Sequence, residues 1–362
     1  MLTCGIIGLP MVGKTTFFNL LTQAKAETSN FYSGRTETNR ATARIPDNRI
    51  DFLSDLYRPR RTIYAQLEVI DVVGLVRGSS QGQGVGNAFL TAVRNADTLI
   101  QVVRVFENPE VPHPENTIDP VRDIETINLE LLLADLEMVE KRIQRIEAGK
   151  KKTEQLKELE ILKKIKVGLE EERSIHNLGL TEEEAFQIRS FAFLTEKPML
   201  LVVNLDEEQL RNSHYPGKSQ LEAYALEKGI HVLEACGRAE MEISELSQED
   251  QKTFLEDLGI TEPGIHRVAQ AMYHNLGLIS FLTVGEDEVR AWTIEKNTPA
   301  KTAAGKIHSD IERGFIRAEV VKYHDLHELG SMVKVKEKGL FRLEGKDYLV
   351  QDGDIINFRF NV

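Results

Sequence analysis

Leu2-Thr3-Cys4-Gly5-Ile6-Ile7-Gly8-Leu9-Pro10-Met11-Val12-Gly13-Lys14-Thr15 reads as an apolar strand, a glycine-bounded loop and the opening of a helix. Residues 8–15 match G-x-x-x-x-G-K-[ST] in full. The chemistry needs those residue types. Glycines let the backbone curl until successive amides point at phosphate oxygens. The helix that starts near Gly13 adds the positive end of its dipole. Lys14 reaches the β- and γ-phosphates, and the Thr15 hydroxyl is a Mg²⁺ ligand. A glycine-rich turn with a chance lysine is the bland alternative, but the strand before and the helix after fit the motif.

Outward from the loop, apolar runs alternate with helical segments. Residues 66–71, 98–105 and 198–203 read as strands, and Gly86 to Arg94 as one of the helices between them. Such alternation predicts a mostly parallel sheet covered on both faces, the α/β class. Asp71-Val72-Val73-Gly74 ends the second strand. Asp71 there can hold Mg²⁺ through water, and the Gly74 amide can sense the γ-phosphate. Asn204-Leu205-Asp206-Glu207 follows the strand at 198–203, where P-loop GTPases commonly carry Asn-Lys-x-Asp. Glu207 is one methylene longer than the aspartate that reads guanine, which puts guanine specificity in doubt.

At 362 residues the chain is too long for one core. A net charge of −12 disfavours a surface that coats nucleic acid throughout, though a local basic face stays open. Cys4 and Cys236 are too few for a disulfide or metal framework and read as small buried residues. The first residues lack a basic segment and a long apolar run, so no signal peptide is expected. No stretch approaches the ~18 apolar residues of a membrane span. A cytoplasmic protein is expected.

Residues 124–175 contain no proline and are dense in Leu, Glu, Lys and Arg. Leu132, Leu136, Val139, Ile143 and Ile146 form one heptad seam, and Leu159, Leu162, Ile165 and Leu169 a second. The break at Ala148-Gly149-Lys150 predicts an antiparallel helical hairpin inserted into the α/β domain. Between Met138 and Ser174 there are 11 Lys/Arg and 8 Asp/Glu, with Lys150-Lys151-Lys152 at the expected tip. That tip can touch RNA phosphate or be simply a solvated face. From Leu278 a strand over Val289 to Glu295, a helix from Thr298-Pro299 to about Arg313, and strands at Ile316 to Tyr323 and Tyr348 to Phe360, with Gln351-Asp352-Gly353-Asp354 as a turn, suggest a small α+β module. Packing is the expected role of Trp292, the one tryptophan. The expected boundaries are 1–123 and 196–277 for the nucleotide-binding domain, 124–195 for the arm and 278–362 for the C-terminal module.

With these motifs the chain resembles the YchF / Obg-like ATPase family of P-loop proteins. The resemblance rests on the loop, Asp71 to Val76, Gly82 to Leu90, Val102-Val103-Arg104 with Phe106-Glu107-Asn108, and Asn204 to Glu207. It extends to the arm and to a C-terminal module similar to TGS domains. Membership implies hydrolysis of ATP in preference to GTP, association with the ribosome (its large subunit) or RNA, and a β-grasp fold for the last module. A monomer is expected. Relatives of Ras place a glutamine directly after Asp-x-x-Gly; here Leu75 stands there and cannot orient water by hydrogen bonding. The resemblance offers His113 instead, in the loop after Phe106-Glu107-Asn108. A solvated loop histidine beside Pro112 and Pro114 is the competing reading. Two departures stand out. Met11 replaces an asparagine that helps hold a monovalent cation in some relatives. The segment Asn30 to Asn39 diverges, and three readings stay open: Thr36 as a metal ligand one place late, Arg35 as a charge toward phosphate, or a mobile switch loop with neither role.

The candidate set is therefore Lys14, His113 and Gly74 for catalysis, and Thr15, Asp71 and Thr36 for the metal. Nucleotide binding is assigned to Gly8, Met11, Val12, Gly13, Lys14, Thr15, Thr16, Asn204, Leu205, Glu207 and Cys236. An ATPase, a GTPase of the same fold and a nucleotide-regulated scaffold with negligible turnover are the readings left in competition.

Overall fold

The computed structural model describes residues 2–26, 38–72, 85–149 and 153–361. Thr36, Gly74, Leu75, Arg35 and the Lys150–Lys152 tip lie outside the described residues. In chain order the first elements are β1 (Thr3–Ile7), α1 (Lys14–Thr22), β2 (Asn39–Arg44), α2 (Asn48–Tyr57), β3 (Arg61–Ile63), β4 (Gln66–Asp71), α3 (Val85–Arg94) and β5 (Thr98–Arg104). Then come α4 (Pro120–Ala148), α5 (Thr153–Glu170), α6 (Glu182–Ile188), β6 (Met199–Asn204), α7 (Glu207–Asn212), α8 (Lys218–Lys228), β7 (His231–Ala235), α9 (Gly237–Glu245), α10 (Gln248–Leu258) and α11 (Gly264–Asn275). The last are β8 (Leu278–Thr283), β9 (Glu288–Glu295), α12 (Ala300–Ile307), α13 (Ser309–Arg313), β10 (Phe315–Lys322), α14 (Tyr323–Leu329), α15 (Met332–Glu337), β11 (Arg342–Glu344) and β12 (Asp354–Phe360).

The chain forms two compact units. The first comprises Met1–Thr42 with Glu68–Val268, the second Ala43–Leu67 with Ala269–Val362. The first contains a sheet in the order β2-β4-β1-β5-β6-β7. Its pairs β1/β4, β1/β5, β5/β6 and β6/β7 are all parallel. Strands β1 and β5 are buried along their whole length, as strands covered on both faces must be. The parallel order puts the carboxyl ends of β1, β4, β5, β6 and β7 on one edge, where open α/β sheets bind ligands.

Helix α4 starts earlier than its heptads suggest. Asp119 caps it, accepting from the Arg122 amide, and Pro120 fills the first turn. Its first turns belong to the sheet, since Ile124 packs with Val103, Val105, Leu201 and Val203. Farther on, Leu132, Val139, Ile143 and Ile146 meet Leu159, Leu162, Ile165 and Leu169 of α5, with Leu136 packed alongside. Arg142–Glu158 and Lys166–Glu140 ion pairs run across this antiparallel contact. Asp135, fully buried on α4, accepts hydrogen bonds from the Leu194 and Thr195 amides and the Thr195 hydroxyl at 2.8–3.0 Å. Asp135→Ala leaves three donors, one buried and two partly buried, without an acceptor, and we expect a loss of about 3 kcal/mol in urea unfolding. A loss below about 0.5 kcal/mol would show that the donors find water instead.

The second unit differs from the boundaries expected for it. Residues 43–67 join the C-terminal residues instead of the nucleotide-binding domain. The cause is long-range pairing. Strand β3 adds in parallel to β9 at the end of a second sheet, in the order β11-β10-β12-β8-β9-β3. Arg49 on α2 binds both Asp47 and Asp352, and Phe52 packs on Tyr323 and His327. Gly353, at φ +78°, turns the chain beside Arg49. The expected turn over residues 351–354 is present, closed by the Asp354 amide on the Gln351 carbonyl, and the regular strand runs from Asp354 to Phe360 only, without Tyr348 to Val350. The expected helix to Arg313 breaks at His308, which is extended and caps α13. Trp292 is stacked on Phe281, with Arg290 over its ring at 3.8 Å.

Candidate functional site

Strand β1 ends at Ile7, and the chain turns at once. Gly8 has φ +147°, and a Cβ there would lie 2.5 Å from the Val102 carbonyl oxygen of β5. Gly13 has φ +104°, and a Cβ there would lie 2.4 Å from the Asn204 Nδ2. Only glycine fits either position. Met11, between them, also takes a left-handed conformation, φ 64°, which asparagine adopts more readily than methionine. Gly13 caps α1 without a side chain, so the amides of the first turn stay open to an anion.

Lys14 folds back over this loop, its Nζ donating to the Leu9 carbonyl at 2.7 Å. Burial pushes the Lys14 ammonium down to about 8, with the Asp71 charge opposing. Thr15 Oγ1 donates to Asp71 Oδ2 at 2.8 Å. Burial pushes the Asp71 carboxyl up, against the Thr15 hydroxyl and the Lys14 charge. The β1/β4 register makes this meeting possible by setting Asp71 opposite Ile6. A polyanion in the loop would restore full charge to Lys14. Above about pH 8 its binding is then coupled to proton uptake, and affinity falls with rising pH by up to about tenfold per unit. Calorimetry at about pH 9 in buffers of different ionisation enthalpy measures that uptake. Zero uptake would mean that Lys14 is already charged in the free protein.

Asn204 braces the loop from the far side. Its Nδ2 donates to the Val12 carbonyl at 2.9 Å, and its Oδ1 accepts from the Gly237 amide at 3.0 Å. Cys236 precedes that amide and caps α9, its Sγ accepting from Ala239 N at 3.5 Å. Thr16 lies on the same side, its Cγ2 3.3 Å from where a Cβ on Gly237 would sit. Glu207 opens α7, which Asp206 and Gln209 cap reciprocally. Leu205 behaves differently from the others. Its side chain is buried in the core with Val203, Tyr215 and Leu221, and its amide donates to Ala235. Any contact it makes to a base runs through its carbonyl alone.

His113 is 8% exposed, which excludes the solvated loop histidine among the readings of the sequence. Its Nδ1 accepts from the Glu115 amide at 3.2 Å, so the proton sits on Nε2, 2.9 Å from Asp123 Oδ2. Arg122 holds the other Asp123 oxygen. Burial lowers the His113 pKa, and the Asp123 charge opposes it. In this arrangement both ring nitrogens are engaged within the fold. Asp123 was not legible as its partner. The only signal was an acidic residue in the first turn of α4.

The sheet edge thus holds a phosphate loop, a buried lysine, a hydroxyl–carboxylate pair and a braced base-side loop. Comparisons with known proteins converge on one group. The family described as a 50S ribosome-binding GTPase matches residues 3–162, and YchF-GTPase_C, described as a protein of unknown function, matches residues 278–361. The ribosome-binding ATPase YchF of Bacillus subtilis is 45% identical over 364 residues, covering 100% of both chains. This chain belongs to the YchF family. The Haemophilus influenzae YchF is 44% identical over 99% of each chain. The solved YchF GTPase of Schizosaccharomyces pombe superposes with a TM-score of 0.85 at 32% identity, covering 99% of this chain and 97% of that one. The α/β P-loop fold is therefore that of YchF proteins. Among the described residues no helix is long and apolar enough to cross a membrane.

Proposed function

We propose that this chain is an ATPase that binds the ribosome and changes that binding with its nucleotide state, in the cytoplasm. The observation that carries the reading is the convergence of Lys14, Thr15 and Asp71 at the mouth of the Gly8–Thr15 loop. YchF relatives along the full length of the chain bear the name ribosome-binding ATPase, which supports both halves of the reading.

The loop amides and Lys14 hold the phosphates, and Asn204 keeps the loop and the Cys236–Gly237 turn in register for the base. Thr15 and Asp71 offer two hard oxygens 2.8 Å apart, a donor set that suits Mg²⁺. When bound, Mg²⁺ neutralises charge on the β- and γ-phosphates. The hydroxyl–carboxylate hydrogen bond must open to admit it. The Gly74 amide senses the γ-phosphate and Thr36 is a further metal ligand in this reading. His113 orients the attacking water, and to do so it must open one of its two ring contacts, to the Glu115 amide or to Asp123. The C-terminal unit serves as the β-grasp module of the family.

A GTPase of the same fold is the second reading, favoured by the Asn204 brace, which is of the GTPase type. Glu207 argues against it. Phosphate release from ATP and from GTP, with and without ribosomes, separates the readings. ATP turnover that ribosomes raise is the expected result. Preferred GTP turnover supports the GTPase, and Glu207→Asp should then leave the preference unchanged. No release under any condition leaves a nucleotide-regulated scaffold.

A further inference from the structure

Arg104 ends β5, in register with Asn204 of β6, and is 2% exposed. Its guanidinium donates to three main-chain carbonyls of the loop that follows: Phe106 at 3.0 Å from Nε, Val111 at 2.9 Å from Nη1 and Asn108 at 3.4 Å from Nη2. The Phe106 ring lies against the guanidinium carbon, 4.4 Å from its centroid. Among the described residues none of its hydrogen-bond acceptors is a carboxylate. A cation buried this way is a poor filler, since an apolar side chain would pack the space without desolvating a charge. What the fork provides is geometry: several N–H groups in one rigid plane, each fixing one carbonyl.

The loop so gathered is tied at both ends. At its start the Val105 amide donates to the Asn204 carbonyl at 3.2 Å, and the Val105 carbonyl accepts from Gln209 Nε2 at 2.9 Å. The Gln209 side chain also accepts from the Asp206 amide at 3.1 Å, its half of the reciprocal cap of α7. At its far end is His113, whose carbonyl accepts from the Asn116 amide and whose ring is held by Asp123. A continuous path therefore runs from the phosphate loop at Val12 through Asn204 and Val105 to the loop of His113.

We propose that Arg104 is a positioning residue: by drawing the Phe106, Asn108 and Val111 carbonyls inward it sets the course of the loop that leads from β5 to His113. Its kinetic consequence rests on the hydrolase reading above; its structural consequence does not. A lysine cannot stand in for it, because one ammonium cannot span three carbonyls arranged around a planar fork.

The test uses the full chain with Arg104→Lys and Arg104→Gln. Hydrogen exchange at the Val111, Glu115 and Asn116 amides is expected to quicken at least about tenfold in both variants. Phosphate release at saturating Mg-ATP is expected to fall about ten- to a hundredfold, while the calorimetric Kd for Mg-ATP moves less than about threefold. Wild-type exchange in Arg104→Lys, or wild-type kcat in it, would overturn the proposal. So would a Kd that weakens in parallel with kcat or binding that is lost altogether, since Arg104 would then support the whole site. If the wild-type chain hydrolyses neither ATP nor GTP, the hydrolase reading fails, and the exchange comparison alone decides on Arg104.

Discussion

Lys14→Ala should abolish measurable Mg-ATP binding, weakening it about a thousandfold or more. The Lys14 ammonium is the buried cation of the Gly8–Thr15 loop, held over it through the Leu9 carbonyl. A triphosphate entering the loop exchanges water for amides and this one full charge. In a site shielded from solvent a charge-assisted contact to phosphate counts for far more than on a surface. A thousandfold loss corresponds to about 4 kcal/mol. The fold should persist, because removing the ammonium also removes a buried charge that the free protein holds below its ordinary pKa. Calorimetric titration of the variant, with circular dichroism to show that it is folded, measures both. Wild-type affinity in a folded variant would remove Lys14 from the site.

Gly8→Ala should damage stability and binding together. At φ +147° a side chain is strained wherever it points, and here it points at a backbone atom. The added Cβ would lie 2.5 Å from the Val102 carbonyl oxygen and 3.2 Å from Val12 Cγ2. Val102 belongs to a fully buried strand paired on both sides, so it cannot retreat. The loop must move instead, away from the curl that aims its amides. A loss of about 3 kcal/mol or more in urea unfolding is expected, with nucleotide affinity lost beyond that. Gly229→Ala is the control. It has φ +65° and open space around its Cβ, so it should lose only about 1 kcal/mol and keep full binding. If Gly8→Ala behaved like the control, the close approach of the loop to β5 would be wrong.

The phosphate loop was legible because its geometry is local: glycines, a lysine and a hydroxyl within eight residues, between a strand and a helix. The arm was legible because a seven-residue period leaves few alternatives to a paired helix. Other features depend on contacts far apart in sequence. Nothing in residues 43–67 announces that β3 will pair with β9 or that Arg49 will bind Asp352, so that segment read as part of the nucleotide-binding domain. Strand β7 escaped notice because His231-Val232-Leu233-Glu234-Ala235 alternates weakly at a sheet edge. Leu205 stood among motif residues, yet apolar neighbours from α8 and β6 draw its side chain into the core. His113 between two prolines looked exposed; its burial depends on Asp123, brought back by the start of α4. Arg104 stood within a quoted motif without a role, since its acceptors are carbonyls, which have no residue signature.

The most direct measurement is a crystal structure with Mg²⁺ and a non-hydrolysable ATP analogue. The account predicts the triphosphate wrapped by the Gly8–Thr15 amides, the Lys14 Nζ moved from the Leu9 carbonyl to phosphate oxygens, and the Thr15–Asp71 hydrogen bond opened around the metal. A triphosphate bound elsewhere, with Lys14 still on Leu9 and Thr15 still on Asp71, would contradict it.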